Sequence, residues 1–390
     1  MTITLPVEEI QLVETIEAAV QRYLAPHADD IDRTASFPLE FYRQLGETGF
    51  FAAFVPEEFG GIKVSTRAIL ACIERIARVS AATALSFGNC GDAVRPIAVG
   101  GSDEVKQTVF PDIASGAAIP CFCLTEAESG SDAANMTTRA TADGDHYILQ
   151  GQKVYITNGS VGDYFTVFAK TSDDPRKGVS CFLVPRDAQG LSIGRDETLL
   201  GLRGMPATVL NFDNVRIPSS WRLGDEGSGF KLAMSALNEA RLNISAVSLG
   251  VARRALDEAV SFARTRRSFG KPIIEHDGLG FLLADLATEL AGAWTLFDRA
   301  VQAHEVDGES RSTASVISMA KLAATSAAMR ITAEAVQIHG GGGLTSEYVV
   351  ERLYRDAKAF QILDGTTQIQ QLIIARHLRG NTFPYKELGW

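Results

Sequence analysis

The spacing of apolar residues changes period twice along this chain of 390 residues, and this feature restricts the fold more than any other. From residue 6 to about 115, apolar residues recur every three or four positions, as in amphipathic helices. From about 119 to 221 they alternate, as in strands. From 227 the helical period returns in long segments, roughly 228 to 267, 279 to 305, 311 to 339 and 365 to 379. Helices of this length bury their apolar faces only against one another, so we expect a bundle.

These changes of period predict a mainly α fold with a central β domain. We expect an N-terminal helical domain at 1–118, a compact antiparallel β domain at 119–226 and a C-terminal helical bundle domain at 227–390. With 46% hydrophobic residues, a chain of this length can bury a large core.

Charge and cysteine usage exclude several classes of protein. The 37 basic and 47 acidic residues give a net charge of −10, which would not attract nucleic acid or an anionic membrane. The five cysteines show no repeated C-x-x-C spacing and predict free thiols in a reducing compartment, with no metal site. The N-terminus forms an amphipathic helix rather than a basic segment with an apolar run, and no membrane span is indicated. We therefore expect a cytoplasmic protein.

Two stretches of the β region carry small polar residues that could approach a ligand. Residues 123 to 138, CLTEAESGSDAANMTT, form a strand end and a loop in which backbone N–H groups and hydroxyls can approach a ligand. A polar turn between strands is the alternative. In residues 154 to 160, VYITNGS, Tyr155 and Thr157 point to the same side of a strand. They either pack on a planar ring or belong to an ordinary strand pair.

Two stretches of the C-terminal region carry candidate anion-binding and reactive groups. Arg264, Arg266 and Arg267 close a helix, where cations are favourable in any case, or they clamp a diphosphate through their guanidinium groups. Residues 337 to 370 place four glycines at a helix end, where the backbone can lie against a cofactor. In the same stretch Asp364 precedes a helix, either as an N-cap or as a reactive group.

Taken in this order, these stretches resemble the acyl-CoA dehydrogenase family over nearly the whole chain. TEAESGSD is similar to the family's T-E-x-x-x-G-S-D loop, VYITNG to its W/F-I-T-N strand and RTRRSFG to its R-x-x-F-G flavin motif. PEEFGG, GDEGSGF, QIHGGGG and YRDAKAFQILDGTTQIQ complete the set. The resemblance implies N-terminal helices, a β-barrel-like middle domain and a C-terminal four-helix bundle. It also implies FAD, an acyl-CoA substrate, an electron-transferring flavoprotein as acceptor and a homotetramer built as a dimer of dimers.

Carried over by position, the resemblance assigns the flavin ring to Tyr155 and Thr157, and the FAD diphosphate to Arg266 and Ser268 of the adjacent subunit. The full set that it implies for FAD is Leu124, Thr125, Ser131, Tyr155, Thr157, Arg266, Ser268, Phe269, Gln337, Gly340, Gly341, Thr366 and Gln368. The set that it implies for the substrate is Ser131, Asn238, Arg241 and Gly365.

In the family a carboxylate removes the α-proton of the thioester while the β-hydride passes to flavin N5, and a backbone N–H beside the base helps to stabilise the enolate. The usual base, a Glu before Gly-Thr, is replaced here by Asp364, which is shorter by one methylene. Either the substrate sits closer, or the base serves another carbon. Some members place the base at the position of Ala240; Glu239 beside it points about 100° away around the helix. We therefore interpret Glu239 as structural.

Asp92 matches a stretch that borders the acyl pocket in the family. It either recognises a polar group, acts as a second acid or base, or is a surface or capping residue. The sequence favours a dehydrogenase of a short, branched, cyclic or functionalised acyl-CoA, with Asp364 as base and Asp92 as a second catalytic candidate. The alternatives are an oxidase of a small carbon acid, similar to nitroalkane oxidases, a vinylogous (1,4) dehydrogenation of a cyclic enoyl-CoA, and a flavin-poor binding partner.

Overall fold

The computed structural model describes residues 5–174, 177–308, 310–380 and 388. Six helices come first, and three of them begin at a serine whose hydroxyl accepts a hydrogen bond from the N–H three residues later: Ser65, Ser80 and Ser102. The helices are α1 (Val7–Ala19), α2 (Ala28–Thr34), α3 (Leu39–Glu47), α4 (Thr66–Ala77), α5 (Ala81–Gly100) and α6 (Asp103–Ala114).

Eight strands follow and form one sheet. They are β1 (Pro120–Cys123), β2 (Arg139–Asp143), β3 (His146–Thr157), β4 (Tyr164–Lys170), β5 (Val179–Pro185), β6 (Leu191–Asp196), β7 (Ala207–Pro218) and β8 (Arg222–Leu223). The order is β6-β7-β3-β2-β4-β5-β8, with β1 beside β4. Most pairs are antiparallel, as predicted, but β1 runs parallel to β4 and β2 touches β4 in parallel at one residue pair. Strand β1 enters the sheet directly from the N-terminal helices, so no hairpin fixes its direction.

The C-terminal part is a bundle of long helices. Its elements are α7 (Gly229–Thr265), the short strands β9 (Arg267–Ser268) and β10 (Lys271–Pro272), α8 (Asp277–Asp307), α9 (Arg311–His339), α10 (Val350–Phe360) and α11 (Thr367–Gly380). The periodicity located the four longest segments to within two residues at each end.

Three apolar clusters hold these layers together. The largest joins both helical regions, with Ile16, Phe87, Val247, Ile331 and Phe360 as members. A second lies between α5, α6, the start of α7 and the sheet, and a third fills the interior of the sheet. Because α5 and α7 each contribute residues to both of the first two clusters, these two helices join the bundle to the sheet.

The predicted fold class, mainly α with a central β domain, is confirmed. The domain limits at 118/119 and 226/227 stay a prediction, and the outer limits at residues 1 and 390 lie outside the described residues. All five cysteines are buried and unpaired.

Candidate active site

Asp364 lies in the turn between α10 and α11 and adopts a left-handed backbone with φ 50°. Thr366, not Asp364, caps α11, because its Oγ1 accepts a hydrogen bond of 3.3 Å from the N–H of Ile369. The interpretation of Asp364 as an N-cap is therefore wrong, and its carboxylate is left for another role.

Protein surrounds the Asp364 carboxylate on most sides, yet part of the residue remains accessible. Burial raises the pKa of Asp364 above its ordinary value, while the charges of Lys321 and Arg241 oppose this increase. A carboxylate with a raised pKa near fixed cations has the properties of a general base.

Two buried side chains that the sequence analysis did not single out hold this turn. The Nζ of Lys321 donates to the carbonyl oxygens of Leu363 and Gly365, and the Nε2 of Gln370 donates to the same Gly365 oxygen at 2.7 Å. The available signal was weak: Lys321 is the one lysine in the sequence of α9 and stands among alanines on its apolar face.

Asp92 is 3% exposed in the middle of α5, so the interpretation of it as a surface or capping residue is wrong. The side-chain amides of Asn89 and Asn243 donate to its carboxylate at 3.1 and 3.2 Å. Burial raises the pKa of Asp92 well above its ordinary value, and the charges of Asp364 and Glu239 raise it further. These effects favour the neutral, protonated form of Asp92.

A cavity of about 290 Å³ adjoins Asp92 and is lined by its neighbours Gly91 and Asn243 together with Arg95 and Glu239. Arg95 and Glu239 form an ion pair of 3.2 Å across one wall. Neither aspartate lines this cavity directly. Glu239 does line it, and the charge of Glu239 also raises the pKa of Asp92.

The predicted flavin-ring residues lie on two adjacent segments of the sheet region. The N–H of Val154 donates to the carbonyl oxygen of Thr125 at 3.0 Å, which places the 124 to 131 loop beside the end of β3. Tyr155 is 59% exposed and Thr157 is partly exposed, whereas Ile156 between them is buried. Leu124 is buried and Ser131 is exposed in the loop.

Two buried contacts fix these segments. The Lys153 Nζ donates to Glu126 at 2.8 Å and to the carbonyl oxygen of Leu124 at 2.9 Å, with Lys153 fully buried. Just past Thr157, the amide of Asn158 donates to the carbonyl oxygen of Ser86 on α5 at 2.8 Å. Asp92 follows Ser86 by six residues on α5, about 9 Å along the helix axis at 1.5 Å per residue. The end of β3 is therefore near the aspartates.

The other predicted FAD residues lie far from Asp364 in the same chain. Arg266 follows the end of α7, about 38 Å along the helix axis from Arg241 at 1.5 Å per residue. The exposed residues of this second group are Arg266, Ser268, Phe269, Gln337, Gly340 and Gly341. Thr366 and Gln368, in contrast, lie next to Asp364. A single chain therefore does not bring the predicted cofactor set together.

Among the predicted substrate residues, Arg241 is 5% exposed and donates to Asn238 at 2.9 Å. Burial lowers the pKa of Arg241 and the charge of Asp364 opposes this. Gly365 is part of the Asp364 turn. The assignment of Asn238 and Arg241 to the CoA arm stays a prediction, but the guanidinium group of Arg241 acts on the same carboxylate as Lys321.

Three buried polar atoms around the aspartates have no hydrogen-bond partner within the described part of the chain: Asn89 Oδ1, Arg241 Nε and Gln370 Oε1. Buried polar groups are normally satisfied, so such atoms indicate a place for water or ligand. Asn89 Oδ1 and Gln370 Oε1 are acceptors and Arg241 Nε is a donor. With the exposed Tyr155 ring and the hydroxyl of Thr157, these groups fit a planar, polar-edged cofactor and a polar substrate.

Sequence profiles of three domains cover almost the entire chain: acyl-CoA dehydrogenase N-terminal domain at residues 6–117, middle domain at 121–215 and C-terminal domain at 227–379. The chain belongs to the acyl-CoA dehydrogenase family. Acyl-CoA dehydrogenases are oxidoreductases, and the resemblance inferred from the motifs is confirmed. The match of all three profiles in chain order also agrees with the observed order of helices, sheet and bundle.

Named relatives share the whole length of the chain. A probable acyl-CoA dehydrogenase of Mycobacterium leprae, fadE25, is 41% identical over 380 residues and 96% of each chain is covered. The cyclohexane-1-carbonyl-CoA dehydrogenase of Geobacter metallireducens is 38% identical over 373 residues, covering 95% of this chain and 97% of the relative. A glutaryl-CoA dehydrogenase from Mycobacterium smegmatis, solved in complex with FADH2, has a TM-score of 0.90 and 30% identity, covering 97% and 96% of the two chains.

The cofactor of this acyl-CoA dehydrogenase is FAD. The residues present fit it, because an accessible aromatic ring and a partly exposed hydroxyl at the end of β3 lie beside the Gly- and Ser-containing loop at 124 to 131. The flavin-poor alternative is thereby rejected.

Proposed function

We propose that this chain dehydrogenates a short, branched, cyclic or otherwise functionalised acyl-CoA, with Asp364 as the base that removes the α-proton. One observation carries the proposal: Asp364 lies in a partly accessible turn, and the charges of Lys321 and Arg241 both favour its ionised form. When bound, FAD supplies the acceptor for the β-hydride.

The side chains around the base have separate tasks in this proposal. Lys321 and Arg241 favour the ionised form of Asp364, which can then accept a proton. The raised pKa of Asp92 favours a neutral carboxyl that can donate a hydrogen bond beside the base. Burial of the side chains around Asp364 strengthens each charge interaction.

The polar wall supports a functionalised or compact acyl group rather than a plain fatty chain. Asn89, Asp92 and Arg95 lie on α5, and Glu239 faces them from α7. A long alkyl chain packed against these charged and amide groups would remove their hydration, which costs free energy. The relative that acts on cyclohexane-1-carbonyl-CoA, by its name, supports a cyclic acid as one member of this class.

Anaerobic stopped-flow mixing of the FAD-loaded enzyme with a panel of thioesters tests the proposal. The panel contains butyryl-CoA, a branched acyl-CoA, cyclohexane-1-carbonyl-CoA, a cyclic enoyl-CoA and palmitoyl-CoA. We expect rapid bleaching of the flavin absorbance by a compact thioester and slow bleaching by palmitoyl-CoA. Oxygen consumption with a nitroalkane, without any response to the thioesters, would instead establish the oxidase alternative.

A second candidate is the vinylogous (1,4) dehydrogenation. It is favoured by the charge interaction between the two aspartates, because two carboxyls in one site can serve two carbons. We expect Asp92→Asn to slow flavin reduction by the cyclic enoyl-CoA by roughly 10²- to 10⁴-fold, the usual effect of removing an acid or base. The same variant should slow reduction by cyclohexane-1-carbonyl-CoA much less. Equal losses with the two thioesters would assign Asp92 to packing or recognition and reject the 1,4 reaction.

We also propose that the enzyme is a homotetramer and that an electron-transferring flavoprotein reoxidises it. Among the described residues, α8 is the one helix long and apolar enough to cross a membrane, and only 17% of its apolar window is buried. In a fold of this family, such a face is suited to a second copy of the chain. The separation between Arg266 and the Asp364 turn likewise requires two chains to complete one FAD site. The cytoplasmic location stays a prediction.

If Arg266 binds the FAD diphosphate of a neighbouring subunit, Arg266→Gln should weaken FAD binding by about 10- to 100-fold. The loss of a charge-assisted hydrogen bond, about 1.5 to 3 kcal/mol, sets this range. FAD binding to the apoprotein, followed by fluorescence quenching, measures the effect, and light scattering monitors the tetramer. Arg195→Gln, at an exposed arginine on β6, is the control and should bind FAD normally. Normal FAD binding by Arg266→Gln would remove Arg266 from the site.

A further inference from the structure

A buried lysine contacts the backbone on both sides of Asp364. Lys321 lies in the middle of α9 and is 1% exposed. Its Nζ donates one hydrogen bond to the carbonyl oxygen of Leu363 and another, of 2.5 Å, to that of Gly365. One ammonium group therefore bridges the two peptide groups that flank the proposed base.

The turn at Asp364 needs such support because its backbone is unfavourable for a residue with a side chain. Asp364 has φ 50° and Gly365 has φ 93°, both in the left-handed region. A non-glycine residue keeps this conformation only where its surroundings enforce it. Gln370 provides a second donor to the Gly365 oxygen, but it carries no charge.

The charged groups around Asp364 come from three helices. Lys321 from α9 and Arg241 from α7 both lower the pKa of Asp364 against the effect of burial. Asp92 from α5 faces the same carboxylate, and its own pKa is raised by burial and then by the charges of Asp364 and Glu239. From α11 the neutral Gln370 donates a hydrogen bond to the turn. Lys321 is thus one of two cations that act on the base.

Lys321 is itself charged at neutral pH. Burial lowers its pKa to about 8, with the charge of Asp364 opposing the decrease and that of Arg241 adding to it. In a poorly hydrated site its charge acts on the carboxylate more strongly than it would in water.

We propose that Lys321 is the positioning residue for the base: its two hydrogen bonds fix the left-handed turn that aims Asp364, and its positive charge favours the ionised carboxylate. This inference rests on the proposed role of Asp364. Removal of the charge should raise the pKa of Asp364. Because a base must be ionised to act, the acid limb of the rate profile should then move to higher pH.

Lys321→Met removes both the donor and the charge. We expect the limiting rate of flavin reduction by cyclohexane-1-carbonyl-CoA or butyryl-CoA to fall by roughly 10- to 100-fold, as for a base displaced by about 1 Å. Its acid limb should move to higher pH, while the thioester dissociation constant changes little. An infrared titration of the FAD-loaded enzyme without substrate, taken as a difference against Asp364→Asn, should show the protonated Asp364 band persisting to higher pH than in the wild type.

Two further variants separate position from charge. Gln370→Met removes an uncharged donor to the same carbonyl, so the rate should fall without movement of the acid limb. Thr332→Val, at a buried site three turns further along α9, should change neither rate nor limb. If Lys321→Met does not fold, Lys321→Gln is compared with Lys321→Arg. Only Lys321→Gln should move the acid limb of the rate profile to higher pH.

A wild-type acid limb and an unmoved infrared band in the neutral Lys321 variants would overturn the inference. The result is distinguishable from failure of the proposed function. If Asp364→Asn still reduces the flavin at the wild-type rate, the base assignment is wrong. If Asp364→Asn is inactive but the Lys321 variants titrate normally, only the role of Lys321 is wrong.

Discussion

Asp364→Asn should slow flavin reduction by the best thioester of the panel by roughly 10²- to 10⁴-fold, the contribution that a positioned general base makes. Asparagine keeps the size of the side chain, so the left-handed turn and its hydrogen bonds to Lys321 should persist. Thioester binding, measured by the perturbation of the flavin spectrum before reduction, should therefore remain. A large loss of rate with retained binding is the expected signature of a missing base.

Two controls make this experiment specific. Asp103→Asn is the same substitution at an exposed aspartate in the first turn of α6 and should reduce the flavin at the wild-type rate. Asp364→Glu keeps a carboxylate but moves it by about 1.5 Å, one carbon–carbon bond. If the pocket is built for the shorter base, its rate should fall about a hundredfold. A wild-type rate in Asp364→Asn would refute the base assignment outright.

Lys153→Met should destabilise the enzyme by about 3 to 5 kcal/mol, because it leaves Glu126 charged and unpaired in the protein interior. Burial opposes ionisation of Glu126, but the Lys153 ammonium and hydrogen bonds from Thr137 and Thr138 outweigh it and lower the pKa of Glu126 to about 2. Lys153 also holds the Leu124 carbonyl. Loss of FAD should accompany the lost stability, since this contact joins the two predicted flavin-binding segments.

Urea denaturation of the FAD-loaded enzyme, followed by tryptophan and flavin fluorescence, measures the effect. Adding Glu126→Gln to Lys153→Met removes the uncompensated charge and should recover part of the stability. Arg139→Met removes one partner of an exposed pair with Asp173 in the same sheet and should cost at most about 1 kcal/mol. Equal costs for Lys153→Met and Arg139→Met would show that the buried pair contributes no more than a surface pair.

The fold could be predicted from the sequence because it depends on local periodicity and on the order of the motifs along the chain. The change from helical to strand spacing near residue 119 and back near 227 is visible in the printed letters. Asp364 was found because it stands in a motif. Its exclusion as a helix cap required the coordinates, since Asp364 and Thr366 are both good capping residues and only geometry shows that Thr366 makes the hydrogen bond.

Contacts between distant segments were much harder to foresee. Asp92 and Asp364 lie at opposite ends of the sequence, and nothing local indicates that α5 and the α10–α11 turn place their carboxyls near each other. Lys321 looks like an ordinary helix residue in the sequence. Its importance comes from a turn more than forty residues later, whose carbonyl groups meet its ammonium.

The sequence by itself determined the order of helices, sheet and bundle, the family and the identity of the candidate base. These features follow from spacing and residue type, which are properties of short segments. Only the tertiary structure decided how burial and charge shift the pKa values of the two aspartates, and the distance between the two groups of FAD residues. Burial and charge interactions depend on which segments meet in space, and that depends on the packing of the whole chain.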